Sequence, residues 1–134
     1  MAWDGLETFE WERRLVVYGT TSDAIEPLEK LLRQDTQIHR SGFAERDIVT
    51  VMVHGTDDEL TDYADPKTPH RRLTPTERSQ VLDLLGTADA DFVIVLIGLD
   101  GTEKGRWTDV ISTEDIFELV DAMPMRQQEL RRAQ

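Results

Sequence analysis

The chain has no cysteine among its 134 residues. Without thiols it can form no disulfide, no thiolate metal site and no cysteine nucleophile, so thiol-disulfide oxidoreductase and cysteine peroxidase activities are excluded. Lysine is also scarce, since Lys30, Lys67 and Lys104 are the only ones. Arginine therefore carries most of the positive charge.

Long apolar runs and a basic surface are missing as well. No apolar stretch approaches the roughly 20 residues that span a bilayer, so we expect no membrane insertion. The first residues do not lead from a basic segment into an apolar one, so we expect no signal peptide in this chain. With 27 acidic residues against 15 Lys and Arg, the formal net charge is -12. Such a field repels phosphate backbones, so we expect no nucleic-acid partner.

The length and the apolar content predict a single domain over residues 1–134. Hydrophobic residues make up 39% of the chain, which is typical of a globular protein. Residues 1–12 are acidic, lack a clear period and contain Trp3, Phe9 and Trp11. We predict that this arm packs its aromatic side chains onto the domain.

Three apolar runs predict buried strands, namely Leu15–Gly19, Ile48–His54 and Phe92–Gly98. After the Asp100-Gly101 turn, the polar segment Gly105–Val110 predicts an antiparallel edge strand. The first two strands, joined by a helix, form a right-handed parallel unit.

Capping residues predict the helices. The first follows Asp23, places Ile25, Leu28, Leu32 and Ile38 on one face and ends at Gly42. Thr74, Pro75 and Glu77 form a capping box that begins the second helix, and Ser112 with Asp115 begins the third. Pro124 should break that last helix.

The predicted order is β-α-β-α-β-β-α, with helices on both faces of a mixed four-stranded sheet. This is the arrangement of a thioredoxin-like α/β domain. In open α/β sheets ligands bind at the carboxyl ends of the parallel strands. The candidate ligand edge therefore consists of Gly19, Thr20, Thr21, Ser22 and His54.

Two interpretations of that edge remain open. In the catalytic interpretation, His54 is a base that activates the hydroxyl of Ser22 as a nucleophile. This requires that the two side chains meet and that a third group orients the ring. The structural alternative is that the hydroxyls cap a helix and that the histidine ends a strand.

Residues 55–72 lose all periodicity and predict a long acidic loop. Its carboxylates, those of Asp57, Asp58, Glu59, Asp62 and Asp65, offer oxygen ligands to a hard cation but do not match the spacing of a calcium loop. His39, His54 and His70 are too scattered for a zinc site. We therefore predict no metal and no cofactor, and the acidic segment is better explained as a solvated surface than as a cation site.

Four stretches resemble a known family: residues 9–17 (FEWERRLVV), 45–49 (ERDIV), 97–101 (IGLDG) and 121–126 (DAMPMR). They are similar to a bacterial domain-of-unknown-function family with a thioredoxin-like, peroxiredoxin-related fold, a type of domain repeated in vertebrate sushi-repeat-containing extracellular proteins. The resemblance covers about residues 6–129 and allows an exported protein whose signal has been removed.

The chain departs from the thioredoxin pattern at two positions. The turn after the first strand, where thioredoxins carry a cysteine pair, reads Gly19-Thr20-Thr21-Ser22-Asp23, and Asp91 stands where they hold a proline in cis. We therefore expect a non-catalytic thioredoxin-like module that acts through contacts with a protein partner. The alternative is a thiol-independent enzyme or small-ligand binder that uses the edge of Gly19 to Ser22 with His54.

Overall fold

The computed structural model describes residues 6–20, 34–54, 57–65, 70–85, 92–108 and 111–132. Its sheet has six strands, so the prediction of a four-stranded sheet was wrong. The strands are β1 (Arg14–Thr20), β2 (Ile48–His54), β3 (Asp57–Asp62), β4 (His70–Arg71), β5 (Phe92–Ile97) and β6 (Glu103–Trp107). Their order across the open sheet is β4-β3-β2-β1-β5-β6.

Two strand pairings are as predicted, namely the parallel pair β1 with β2 and the antiparallel pair β5 with β6. Strands β1 and β2 are parallel, with a register that runs from Arg14 opposite Ile48 to Thr20 opposite His54. Strand β5 is antiparallel to β1, and β6 is antiparallel to β5. Gly101, at φ 79°, lies in the turn between them, where a glycine avoids the strain of the left-handed region. The edge strand β6 begins two residues earlier than predicted.

The additional strands β3 and β4 occupy much of the segment predicted to be a loop. Strand β3 pairs with β2 along its whole length, and it buries Leu60 and Thr61. The acidic composition of β3 prevented its prediction, because Asp and Glu disfavour strands unless other residues offset their charge. Here Arg72 and Arg78 bind the nearly buried carboxylate of Asp58.

Helices and apolar side chains cover both faces of the sheet. The helices are α1 (Arg40–Glu45), α2 (Pro75–Leu85), α3 (Thr113–Asp121) and α4 (Pro124–Arg132). On the first face α1 and α3 pack through Phe43, Ile116, Phe117 and Val120. On the second face α2 packs through Val81, together with Leu6 and Phe9 of the N-terminal arm. This arrangement is an open mixed α/β sheet between helical layers.

The predicted helix after Asp23 lies largely outside the described residues. In its described part, residues 34–38 and α1 are helical, and Gly42 lies within α1 rather than at its end. A Cβ at Gly42 would clash with the ring of Phe117, so this glycine permits close packing. Ile38 is 77% exposed, which contradicts its predicted place on the apolar face.

The other capping predictions are confirmed. Thr74 Oγ1 accepts from the Glu77 N–H at 3.1 Å, and Glu77 Oε1 accepts from the Thr74 N–H at 2.9 Å. Ser112 Oγ accepts from the Asp115 N–H at 3.1 Å. The chain breaks at Met123 and a new helix begins at Pro124. No helix within the described ranges is both long and apolar enough to cross a membrane.

The N-terminal arm follows its prediction only in part. A short 3₁₀ helix, Leu6–Phe9, places Leu6 and Phe9 against the second face of the sheet. Trp11 does not pack there, since it is 63% exposed and its backbone has φ 69°. Trp3 lies outside the described residues.

Candidate functional site

The predicted ligand edge is only partly described. The register of the parallel pair places Thr20 opposite His54 and Gly19 opposite Val53 at the carboxyl ends of β1 and β2. Thr21 and Ser22 lie outside the described residues, so the proposed nucleophile and base pair stays a prediction.

Gly19 has a structural reason to be a glycine. A Cβ at this position would overlap the side chain of Leu85, the last residue of α2. The end of α2 therefore lies directly on the backbone of β1 at its carboxyl end. On this face of the sheet the edge is filled by an apolar side chain.

The acidic segment binds arginines of the same chain. Asp58 accepts from Arg78 Nη1 at 2.6 Å and from the Leu73 N–H at 2.9 Å, and Arg13 Nε lies 3.3 Å from Asp62 Oδ2. Burial alone would raise the pKa of Asp58, but the hydrogen bonds from Leu73 and the arginines outweigh it and lower that pKa. Among the described residues no group of three or more potential ligands is arranged to hold a metal ion.

A polar cluster on β3 and β4 superficially resembles a catalytic set. Thr61 Oγ1 lies 2.9 Å from His70 Nδ1, and Glu59 Oε1 lies 3.3 Å from that same nitrogen. A catalytic triad needs the acid and the nucleophile on opposite nitrogens of the ring, which this geometry does not provide. The cluster borders a cavity of about 420 Å³ between β3 and α1.

The amino ends of β1 and β2 carry an arginine network that the sequence did not suggest. Its cations are Arg14, Arg46 and Arg126, and its anions are Glu45, Asp121 and Glu129. Asp121 lies at the centre, because it accepts from Arg46 at 2.9 and 3.0 Å and from Arg126 Nε at 3.1 Å. Burial alone would raise the pKa of Asp121, but the hydrogen bonds from these two arginines hold it below its ordinary value.

Arg14 occupies the deepest position in this network. Its side chain is only 1% exposed, although it begins an apolar strand. Nη1 donates to the Arg46 carbonyl at 2.8 Å and Nη2 donates to Glu129 Oε2 at 2.7 Å. Nε is buried and has no hydrogen-bond partner among the described residues. Such an orphaned donor is uncommon, because burial deprives it of water.

A pocket of about 280 Å³ adjoins the network, and we call it the methionine pocket. It is lined by Arg14, Gly98, Leu99, Asp100, Lys104, Met123, Pro124 and Met125. It lies between the β5–β6 turn and the junction of α3 with α4. The residues that line it are far apart in the chain, so no local spacing predicts the pocket, although three of the four resembling stretches contribute to its lining.

The fold and these contacts define an open mixed α/β domain without thiols, with a network of partly and nearly buried charges at the amino ends of its parallel strands. The chain matches a family model described as "Domain of unknown function (DUF4174)" over residues 5–129 and belongs to that family. No curated protein matches the chain. No solved structure matches it either.

Proposed function

We propose that this domain is a thioredoxin-like module that acts through contacts with a protein partner, without catalysis and without thiol redox activity. The order β2-β1-β5-β6 supports the fold assignment, because one parallel pair is followed by two antiparallel pairs. That order is the one expected of the pattern β-α-β-α-β-β-α. Strands β3 and β4 extend the sheet on one side.

The observation that carries the proposal is the packing of Leu85 on Gly19. The resemblance to thioredoxins implies that β1 corresponds to the strand after which a thioredoxin carries its reactive cysteine pair. A binder of small molecules needs a concave, accessible surface there. An apolar side chain pressed against the backbone removes that space on one face of the sheet.

The resemblance to the domain of vertebrate sushi-repeat-containing extracellular proteins also favours a contact role. It is consistent with a bacterial protein that is exported. The remaining alternative is a thiol-independent enzyme or ligand binder, for which Thr20 opposite His54 at the strand ends is the relevant arrangement.

Site-specific photo-crosslinking in the cells that produce the protein tests the proposal. A photoreactive phenylalanine replaces one exposed apolar residue at a time, at Trp11, Ile38, Leu82 or Leu119. The exposed polar residue Gln127 is the matched control position. We expect a discrete adduct with one protein from at least one apolar position and none from the control.

Native mass spectrometry of the untagged protein completes this test. A small molecule that co-purifies at one equivalent and is lost from a His54→Ala variant contradicts the proposal and supports the alternative. The absence of any discrete adduct at all four apolar positions also contradicts it.

A further inference from the structure

The methionine pocket combines apolar walls with a buried guanidinium. We propose that it binds a carboxylate carried on a small apolar group, as in the last residue of a protein chain that ends in leucine. The proposal rests on the proposed contact function, because it names the part of a partner that the domain would hold.

The donor for this carboxylate is Arg14. Its Nη1 and Nη2 are each held by the protein, whereas Nε has no acceptor among the described residues and the side chain lines the pocket. A buried N–H gains most from a charged acceptor, since charge-assisted hydrogen bonds are the strong ones. Because Nε is itself buried, a ligand oxygen would satisfy it once a small shift of the pocket wall brings the two within reach.

The charges around Arg14 are balanced within the arginine network. Glu129 is its only ion-pair partner among the described residues, and Glu129 also lies 3.6 Å from Arg126, which pairs with Asp121 and Glu45 as well. The attraction for a ligand anion therefore comes from the unsatisfied Nε of Arg14 and from Lys104, and the single acidic residue of the pocket is already engaged.

That acidic residue is Asp100 at the rim. It accepts from both the N–H and the hydroxyl of Thr102, and Lys104 Nζ lies 3.0 Å away. The pair of Lys104 with Asp100 is partly exposed, and such surface pairs contribute little. Lys104 can therefore turn its ammonium group toward a bound carboxylate without a large loss.

The walls set the size and polarity of the ligand. Leu99, Met123, Pro124 and Met125 provide apolar surface, and unbranched methionines adjust readily to the shape of a ligand. At about 280 Å³ the pocket is just below the range of about 300–1,000 Å³ that holds drug-sized molecules. A leucine side chain with its carboxylate suits this volume, whereas a nucleotide is too large and too polar.

Titration followed by methionine methyl NMR tests the proposal. The probes are N-acetyl-leucine, a glycine–serine hexapeptide that ends in leucine as a free acid, and the same peptide as a C-terminal amide. We expect the methyl signals of Met123 and Met125 to shift with both acids, while that of buried Met52 stays unchanged. The amide should bind at least about tenfold more weakly, because it lacks the charge that Arg14 and Lys104 recognise.

Three variants, each checked for folding by circular dichroism, locate the effect. Met125→Trp fills the pocket and should abolish binding. Lys104→Gln removes one exposed charge and should weaken binding of the acid peptide about threefold. Arg40→Gln removes an exposed arginine on α1 and should change nothing. Equal affinity for acid and amide, or unchanged binding by Met125→Trp, overturns the proposal.

The outcomes also separate this proposal from the contact function. A discrete crosslinked partner, with neither acid binding at millimolar concentration, overturns only the assignment of the pocket. Binding of N-acetyl-leucine but not of the acid peptide supports the chemistry of the pocket and overturns the contact function in favour of a small-ligand binder.

Discussion

The two ends of the parallel pair β1 and β2 are built in different ways. At the carboxyl end, Leu85 lies on Gly19 and apolar contact closes the surface. At the amino end, Arg14 and its neighbours form a network of nearly buried charges beside a pocket. Open α/β sheets usually bind ligands at the carboxyl end. In this domain the methionine pocket and the buried Nε of Arg14, which has no acceptor in the described part of the chain, lie at the other end.

The difference also concerns the origin of stability. An apolar contact depends little on pH, whereas a charge network is retained only while its carboxylates are ionised. The loss of stability caused by a substitution at the amino end should therefore change with pH, whereas the loss caused by a substitution at the carboxyl end should not.

The largest effect is expected from Asp121→Ala. This change leaves Arg46 and the nearly buried Arg126 without their shared carboxylate. Breaking a fully buried pair costs about 3–5 kcal/mol, and the partial exposure of Asp121 reduces our expectation to about 2–3 kcal/mol. Chemical denaturation measures the loss. The exposed Glu118→Ala on the same helix is the control and should stay within about 0.5 kcal/mol.

Acid should remove the effect of Asp121→Ala. Since the native pKa of Asp121 is lowered, its contribution is fully present above the unfolded pKa of about 3.9 and is lost as pH falls through the native value. The difference between parent and variant should therefore shrink from pH 5 to pH 2 in denaturation curves. A constant difference over this range would show that lost packing, not charge, dominates.

At the carboxyl end, Gly19→Val should cost about 2 kcal/mol, because its side chain overlaps Leu85. This loss should not depend on pH. The double variant with Leu85→Ala should recover part of it, since shortening Leu85 vacates the space. Thermal melts of both variants measure the recovery. Additive losses in the double variant would contradict the packing argument.

A smaller effect is expected from Thr74→Ala, which removes the N-cap of α2. The loss should be about 1 kcal/mol. Because the far end of α2 lies on Gly19, hydrogen exchange should accelerate at the carboxyl end of β1 more than at its amino end. The exposed, mid-helix Ser79→Ala is the control and should shift stability by no more than about 0.5 kcal/mol. Uniform acceleration along β1 would contradict this coupling.

A final effect of similar size concerns Trp11, beside the amino end. Its backbone lies in the left-handed region, which costs a non-glycine residue about 1 kcal/mol. Trp11→Gly should therefore be more stable than Trp11→Ala by about that amount, as judged by denaturation midpoints. Equal stability of the two variants would mean that the segment changes its backbone when the indole is removed.

The sequence predicted those helices and strands that depend on contacts between residues close together in the chain. The run Ile48–His54 became β2 with the predicted bounds, and Thr74 with Glu77 made the expected capping box. These features depend on neighbours within a few residues, so spacing alone reveals them. Gly42 misled the prediction, because it serves distant Phe117 rather than a helix end.

Long-range contacts explain what the sequence could not predict. Strand β3 is acidic, and its pairing depends on β2 and on arginines that follow it. The arginine network joins Arg14 to Glu129 across 115 positions, and no local pattern encodes that pair. An arginine at the start of an otherwise apolar strand was the one available signal, and alone it does not reveal its partner.

The outer strands of the sheet, β4 and β6, are built in a way that opposes aggregation at high concentration. Strand β4 has only two residues, and β6 bears Glu103, Lys104 and Arg106, with an irregular register where it meets β5. Short, charged and bulged margins discourage the strand-to-strand addition that leads to aggregates. Copies of this domain can therefore stand close together, on one chain or on several, without merging their sheets.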